Sequence, residues 1–160
     1  MCNLNAFDID LKGINGREIR REYDVGDAFF ASVGNGDVRK GSVHVVLSAH
    51  KESTCFELSF HMEGTVTMPC DMCLDDMEYR ISTDNTVKVR LACCDNAALA
   101  DDDGDMITVD DPRGTFNAAW NIYEAIALAV PIRHVHEPGK CNPQMLRVLD
   151  KYCMKDDIQQ

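Results

Sequence analysis

No stretch of this sequence is long and apolar enough to cross a bilayer. The longest apolar run, Ala125 to Ile132, falls far short of the roughly 20 residues that a membrane helix needs. The first residues, Met1-Cys2-Asn3-Leu4-Asn5, carry neither a basic cluster nor an apolar stretch, so no secretory signal is expected, and Cys2 alone is no lipidation signal. Positive charge is scarce: Lys and Arg number 16 against 27 Asp and Glu, a formal net charge of −11. That balance argues against an autonomous nucleic-acid binder, because phosphate recognition needs clustered cations. It suits a basic partner and also aids solubility. The cluster Arg17, Arg20 and Arg21 is too small for a nucleic-acid face and is expected to pair with Glu18 and Glu22. Catalytic signatures are missing as well. There is no Gly-rich phosphate loop, no G-x-S-x-G and no H-E-x-x-H, since His136-Glu137 is not followed by a second histidine at the required place. Neither an enzyme activity nor a small-molecule substrate is expected.

Cysteine, by contrast, is abundant, with eight in 160 residues. Without an export signal the expected location is the reducing cytoplasm, where a C-x-x-C pair more often binds metal or exchanges electrons than forms a disulfide framework. An apolar share of 45% is enough for a core, and 160 residues fit one domain.

The middle of the chain alternates with period two. Val43, Val45, Leu47 and Ala49 share a face, as do Phe56, Leu58, Phe60, Met62, Val66 and Met68, with Gly64 at an expected bend or bulge. Tyr79 and Ile81, then Val87, Val89 and Leu91, then Ile107 and Val109 continue the pattern. Gly34-Asn35-Gly36-Asp37 and His50-Lys51-Glu52-Ser53 read as turns between strands. The fold class is α+β: a curved antiparallel β-sheet or partly open barrel of about six to eight strands, with two C-terminal helices. It makes residues 1–160 a single domain, mainly β over 1–110 and helical over 114–155. In the first helix Phe116, Ala119, Trp120, Tyr123, Ala127 and Val130 form one apolar face, with Thr115 as N-cap and Pro131 as terminator. In the second, Asn142 caps, Pro143 occupies the first helical position, and Met145, Leu146, Leu149, Tyr152 and Cys153 carry the apolar side.

The acidic stretch Asp95 to Asp105 breaks the strand pattern. It fails the calcium-loop template, because placing Gly104 at the sixth position puts Leu99 at the first and Asp110, not Glu, at the twelfth. A solvated loop is expected.

The chemistry lies in Cys70-Asp71-Met72-Cys73, which follows a strand and Pro69. Two thiolates two residues apart can chelate one tetrahedral ion, and a closed site needs two more ligands. The segment His134-Val135-His136-Glu137-Pro138-Gly139-Lys140-Cys141 offers three candidates, and Pro138-Gly139 lets it loop back. Cys70, Cys73, His136 and Cys141 would form a Cys3His clip, with His134 as the alternative imidazole. Thiolates with an imidazole favour zinc over magnesium or calcium. A redox pair using Cys70 and Cys73 is disfavoured, because such a motif opens a helix and this one runs into a strand. A Cys141–His136 nucleophilic pair lacks an orienting or oxyanion motif. A third alternative is a metal-free interaction module. Cys55, Cys93, Cys94 and Cys153 are expected to be buried small apolar residues, and His44, His50 and His61 to be surface or cross-strand residues.

The stretch Val66-Thr67-Met68-Pro69-Cys70-Asp71-Met72-Cys73-Leu74 resembles the central signature of the YceD-like family, the large ribosomal RNA subunit accumulation proteins. Ile122 to Ile132, followed by His136 and Cys141, is similar to that family's second half. The extended C-terminal helix looks like that of Bacteroidetes-type members. The resemblance implies a bacterial cytoplasmic protein needed for accumulation of large-subunit ribosomal RNA, with the ribosomal RNA precursor, a basic ribosomal or assembly protein, or both as partners. It carries over to Cys70, Cys73, His136 and Cys141. The family's arginine between the cysteines is Met72 here, which removes a cation from that turn.

Overall fold

The computed structural model describes residues 3–34, 36, 38–53, 55–92, 106–137 and 139–156, the side chains of 153–156 excepted. The expectations for Asn35, Asp37, Cys93, Cys94, Pro138, the side chain of Cys153 and the acidic stretch through Asp105 lie outside the described residues. After a 3-10 turn at Leu4–Phe7, the elements are β1 (Asp8–Asp10), β2 (Ile19–Val25), α1 (Asp27–Val33), β3 (Lys40–Glu52), β4 (Cys55–Pro69), β5 (Asp76–Leu91), β6 (Met106–Val109), β7 (Thr115–Asn117), α2 (Ala119–Ala129) and α3 (Pro143–Asp156).

Period-two alternation produces the sheet. Its strands are ordered β2-β3-β4-β5-β6, curved and not closed, and β1 pairs with β7 in a separate two-stranded ribbon. Val43, Val45, Leu47 and Ala49 on β3 and Leu58, Phe60, Met62, Val66 and Met68 on β4 turn inward and are almost fully buried. The fold class is thus the α+β sheet expected. One pairing differs: β6 runs parallel to β5, with Lys88 opposite Met106 and Leu91 opposite Val109. A parallel neighbour needs a long return connection instead of a hairpin, and the segment between Leu91 and Met106 provides that length.

Gly64 is no bulge. The β3–β4 register is unbroken through it, with Gly64 opposite Val43. A side chain there would collide with the Ser42 carbonyl oxygen and Val43 Cα, so the glycine serves close strand approach. His50-Lys51-Glu52 is not a turn either: these residues pair with Glu57, Phe56 and Cys55, which confines the hairpin connection to residues 53 and 54. Gly34 follows a helix, not a strand, because α1 intervenes before β3. Too short to show a periodic stripe, α1 buries Phe29 and Phe30 under the sheet.

The first long helix starts later than the Thr115 cap implied. Thr115–Asn117 is β7, and Phe116 pairs with Ile9 on β1. The Asn117 side chain accepts the Ala119 N–H at 3.0 Å and so performs the capping at the helix entrance. Burial along α2 covers Ala119, Ile122, Tyr123, Ala125 and Ile126, whereas Trp120 reaches solvent at 56% exposure. The second helix begins as expected, with Asn142 Oδ1 accepting the Gln144 N–H at 3.0 Å. Its apolar side, however, is not buried: Met145, Leu146 and Leu149 are half-buried and Tyr152 is exposed. Among the described residues, no helix is long and apolar enough to cross a membrane.

Candidate metal centre

After Pro69 ends β4, the chain makes one tight turn before β5. The Leu74 N–H bonds the Cys70 carbonyl at 2.9 Å, and the Cys70 N–H bonds the Asp75 carbonyl at 2.8 Å. Leu74 closes the turn with φ +65°, a left-handed conformation that costs a non-glycine residue roughly 1–2 kcal/mol. Its side chain points to solvent, 66% exposed. The two cysteines inside the turn are buried, Cys70 at 0% and Cys73 at 1% exposure.

The segment after α2 comes to this turn through reciprocal hydrogen bonds. The Asp71 N–H donates to the His134 carbonyl at 2.8 Å, and the Asp71 carboxylate accepts the His134 N–H at 2.9 Å. A second bridge runs from the Asn142 side-chain amide to the Asp75 carboxylate at 3.1 Å. These contacts bring His136 and Cys141 beside the two cysteines. Cys70 Sγ lies 3.8 Å from Cys141 Sγ, and His136 Nδ1 lies 3.3 Å from Cys73 Sγ and 3.7 Å from Cys141 Sγ. All four candidate ligand atoms fall within 4.8 Å of one another.

The spacing suits a tetrahedral ion. With Zn–S near 2.3 Å and Zn–N near 2.0–2.1 Å, a regular tetrahedron has edges of roughly 3.8 Å between sulfurs and roughly 3.5 Å between sulfur and nitrogen. The distances of 3.8, 3.3 and 3.7 Å bracket those edges. They exclude a disulfide between Cys70 and Cys141, whose sulfurs would be about 2.05 Å apart; Cys55, Cys70, Cys73 and Cys141 are all free thiols. Burial pushes the Cys70 thiol up, but N–H donors from the backbone of Cys73, His136 and Met72 outweigh it and bring it down to about 6. Cys141 moves the other way, up to about 11, through burial and then the neighbouring Cys70 and Cys73 side chains. Crowded thiols oppose each other's ionisation, and a divalent cation would relieve that opposition.

Of the two imidazoles left open by the sequence, His136 faces the thiols. His134 is buried at 5% exposure, with its ring 3.7 Å from the Asp71 carboxylate. Sequence reasoning passed over Asp71, Asp75 and the positive φ of Leu74, because a lone Asp beside a cysteine or a Leu after one carries no pattern to count. Cys55 is buried as expected.

The chain matches the family described as large ribosomal RNA subunit accumulation protein YceD over residues 58–155. That span is more than half of the sequence and contains all four clustered side chains. The chain belongs to the YceD family. Membership supports a role in ribosome biogenesis and in accumulation of large-subunit ribosomal RNA. No curated protein and no solved structure matches the chain.

Proposed function

We propose that this protein is a single-domain, non-enzymatic, cytoplasmic ribosome-biogenesis factor that supports accumulation or processing of large-subunit ribosomal RNA, and that Cys70, Cys73, His136 and Cys141 hold a structural zinc ion. The observation that carries the metal reading is convergence: two buried cysteines from the β4–β5 turn meet an imidazole and a thiol delivered from beyond α2. With four protein ligands the ion has no open position, so its chemistry is structural, binding energy delivered to the fold. The partner in this reading is the ribosomal RNA precursor, a basic ribosomal or assembly protein, or both.

A redox pair of Cys70 and Cys73 has less support. Cys73 leads into β5 and not into a helix, and neither thiol reaches solvent. Elemental analysis of protein purified without chelator separates the readings. About one zinc per chain is expected, with the three clustered thiols resisting alkylation until the metal is removed. Metal-free protein with rapidly titrating thiols at these positions would overturn the zinc assignment. The biogenesis role is tested by crosslinking in cells during ribosome assembly: recovery of large-subunit precursor particles supports it, and their absence overturns it.

A further inference from the structure

The outer face of the five-stranded sheet is lined by side chains pointing away from α1 and α2. Cross-strand register places Asp24, His44, Glu63 and Ser82 in one row, and Glu22, Val46, His61 and Asp84 in the next. His50 and Glu57 pair on the same face. Its side chains are solvated, with Asp24 at 88%, Asp84 at 81% and Glu22 at 54% exposure.

The charge on this face is unbalanced. Of its cations, Arg20, Arg80 and Lys88 are already engaged by Glu22, Glu63 and Glu52, at 3.3, 3.2 and 3.9 Å. Lys40 and Arg90 lie on the same face by register, against the carboxylates of Glu22, Asp24, Glu52, Glu57, Glu63, Asp76, Glu78 and Asp84. Among the described residues Asp24, Glu57, Glu78 and Asp84 form no ion pair with a lysine or arginine, although Lys88 stands opposite Glu57 in the register and turns to Glu52. The strands answer them with histidine instead: His44 Nδ1 lies 2.7 Å from Asp24, His61 Nδ1 2.6 Å from Asp84, and His50 Nε2 3.9 Å from Glu57. The hydrogen bond to Asp24 raises the His44 pKa above its ordinary value, so that pair is partly neutralised; the carboxylates of the face still outnumber its lysines and arginines. Successive rows lie about 6.8 Å apart along the strands, two residues at roughly 3.4 Å each, a comb matched to an extended chain bearing cations on alternate residues.

We propose that this outer sheet face docks a lysine- and arginine-rich polypeptide segment. The proposal rests on the ribosome-biogenesis reading and selects a protein surface over RNA, because the same carboxylates repel phosphate. Near the described carboxylates, a peptide cation displaces histidine from its aspartate, which costs little at an exposed site.

The test uses the full zinc-loaded chain with a synthetic Lys/Arg-rich peptide and a large-subunit RNA transcript as separate probes. One variant removes face charge (Asp24→Asn, Glu57→Gln, Asp84→Asn). A control removes equal charge elsewhere on the surface (Asp10→Asn, Glu124→Gln, Asp150→Asn). Wild type and control should bind the peptide alike, with affinity falling as salt rises, and the face variant should bind about tenfold more weakly. Equal weakening of both variants, unchanged binding by the face variant, or RNA binding that depends on the face would each overturn the proposal. Crosslinking of the face variant in cells keeps the two readings apart. If wild type reaches precursor particles but the face proves dispensable, only the docking surface is lost; if wild type never reaches them, the biogenesis reading fails.

Discussion

Phe60 in the middle of β4 is 1% exposed, and Leu47, Leu58 and Met62 around it are fully buried; Leu149 in the middle of α3 is only half-buried, and Tyr152 one turn later is 65% exposed. The sheet and the segment after Pro131 are therefore held by different forces. In the sheet, inward-facing apolar residues and a long unbroken ladder act together, so its stability scales with the area removed from water. The segment from Pro131 onward buries little. It is tied to the β4–β5 turn by hydrogen bonds through Asp71 and Asp75 and by the cluster of three thiols and one imidazole. One chain thus combines a region that folds by hydrophobic burial with one held by hydrogen bonds and by the cluster that the proposed zinc would close.

The contrast is broken hardest from the sheet side. Phe60→Ala should lower global stability by about 3–5 kcal/mol, read by urea unfolding, because it opens a cavity in the packed layer. Metal content per folded chain should not change. Loss of zinc from the folded fraction would show that the clip depends on core packing.

Metal removal probes the other region. If the proposed zinc is held, free zinc a thousandfold above its dissociation constant would stabilise the folded form by about 4 kcal/mol, which a chelator should abolish. Hydrogen exchange then locates the effect. The amides of Cys70, Asp71 and Leu74 should lose protection, while those of β3 and β4 keep theirs. Simultaneous loss in the sheet would mean that the two regions open as one unit.

The smallest expected effect sharpens the comparison at the turn itself. Leu74 holds φ +65° with its side chain in solvent, so Leu74→Gly removes strain and no packing. It should raise the thermal midpoint, a gain of up to about 1 kcal/mol after the added flexibility of the unfolded chain is offset.

Both regions were partly legible in the sequence. Strands β3, β4 and β5 declare themselves because long period-two runs leave one consistent inner face. The parallel placement of β6 does not, since alternation reports which face a residue takes and not the direction of its neighbour. Phe116 matched a helical stripe and yet lies in a strand. Pairing with Ile9 across more than a hundred residues decides that, and no local window contains it. At the site, residue type and element ends brought out Cys70, Cys73, His136 and Cys141. The choice between His134 and His136 needed three dimensions, because Asp71 takes the backbone of the first and so leaves the second turned toward the sulfurs.

Two of the clustered sulfurs, on Cys70 and Cys141, are separated by 71 positions along the chain. With an ion joining them, a pulling force applied at the two termini would pass across the metal–sulfur bonds and bypass everything between. The hidden length is about 240 Å of extended polypeptide, which contains β5, β6, β7 and α2. In a single-molecule stretching trace, those elements would stay silent until the coordination bonds rupture, and the hidden length would then appear in one step. To a tether, the metal-bound protein would behave as a short chain with a closed ring hung on it.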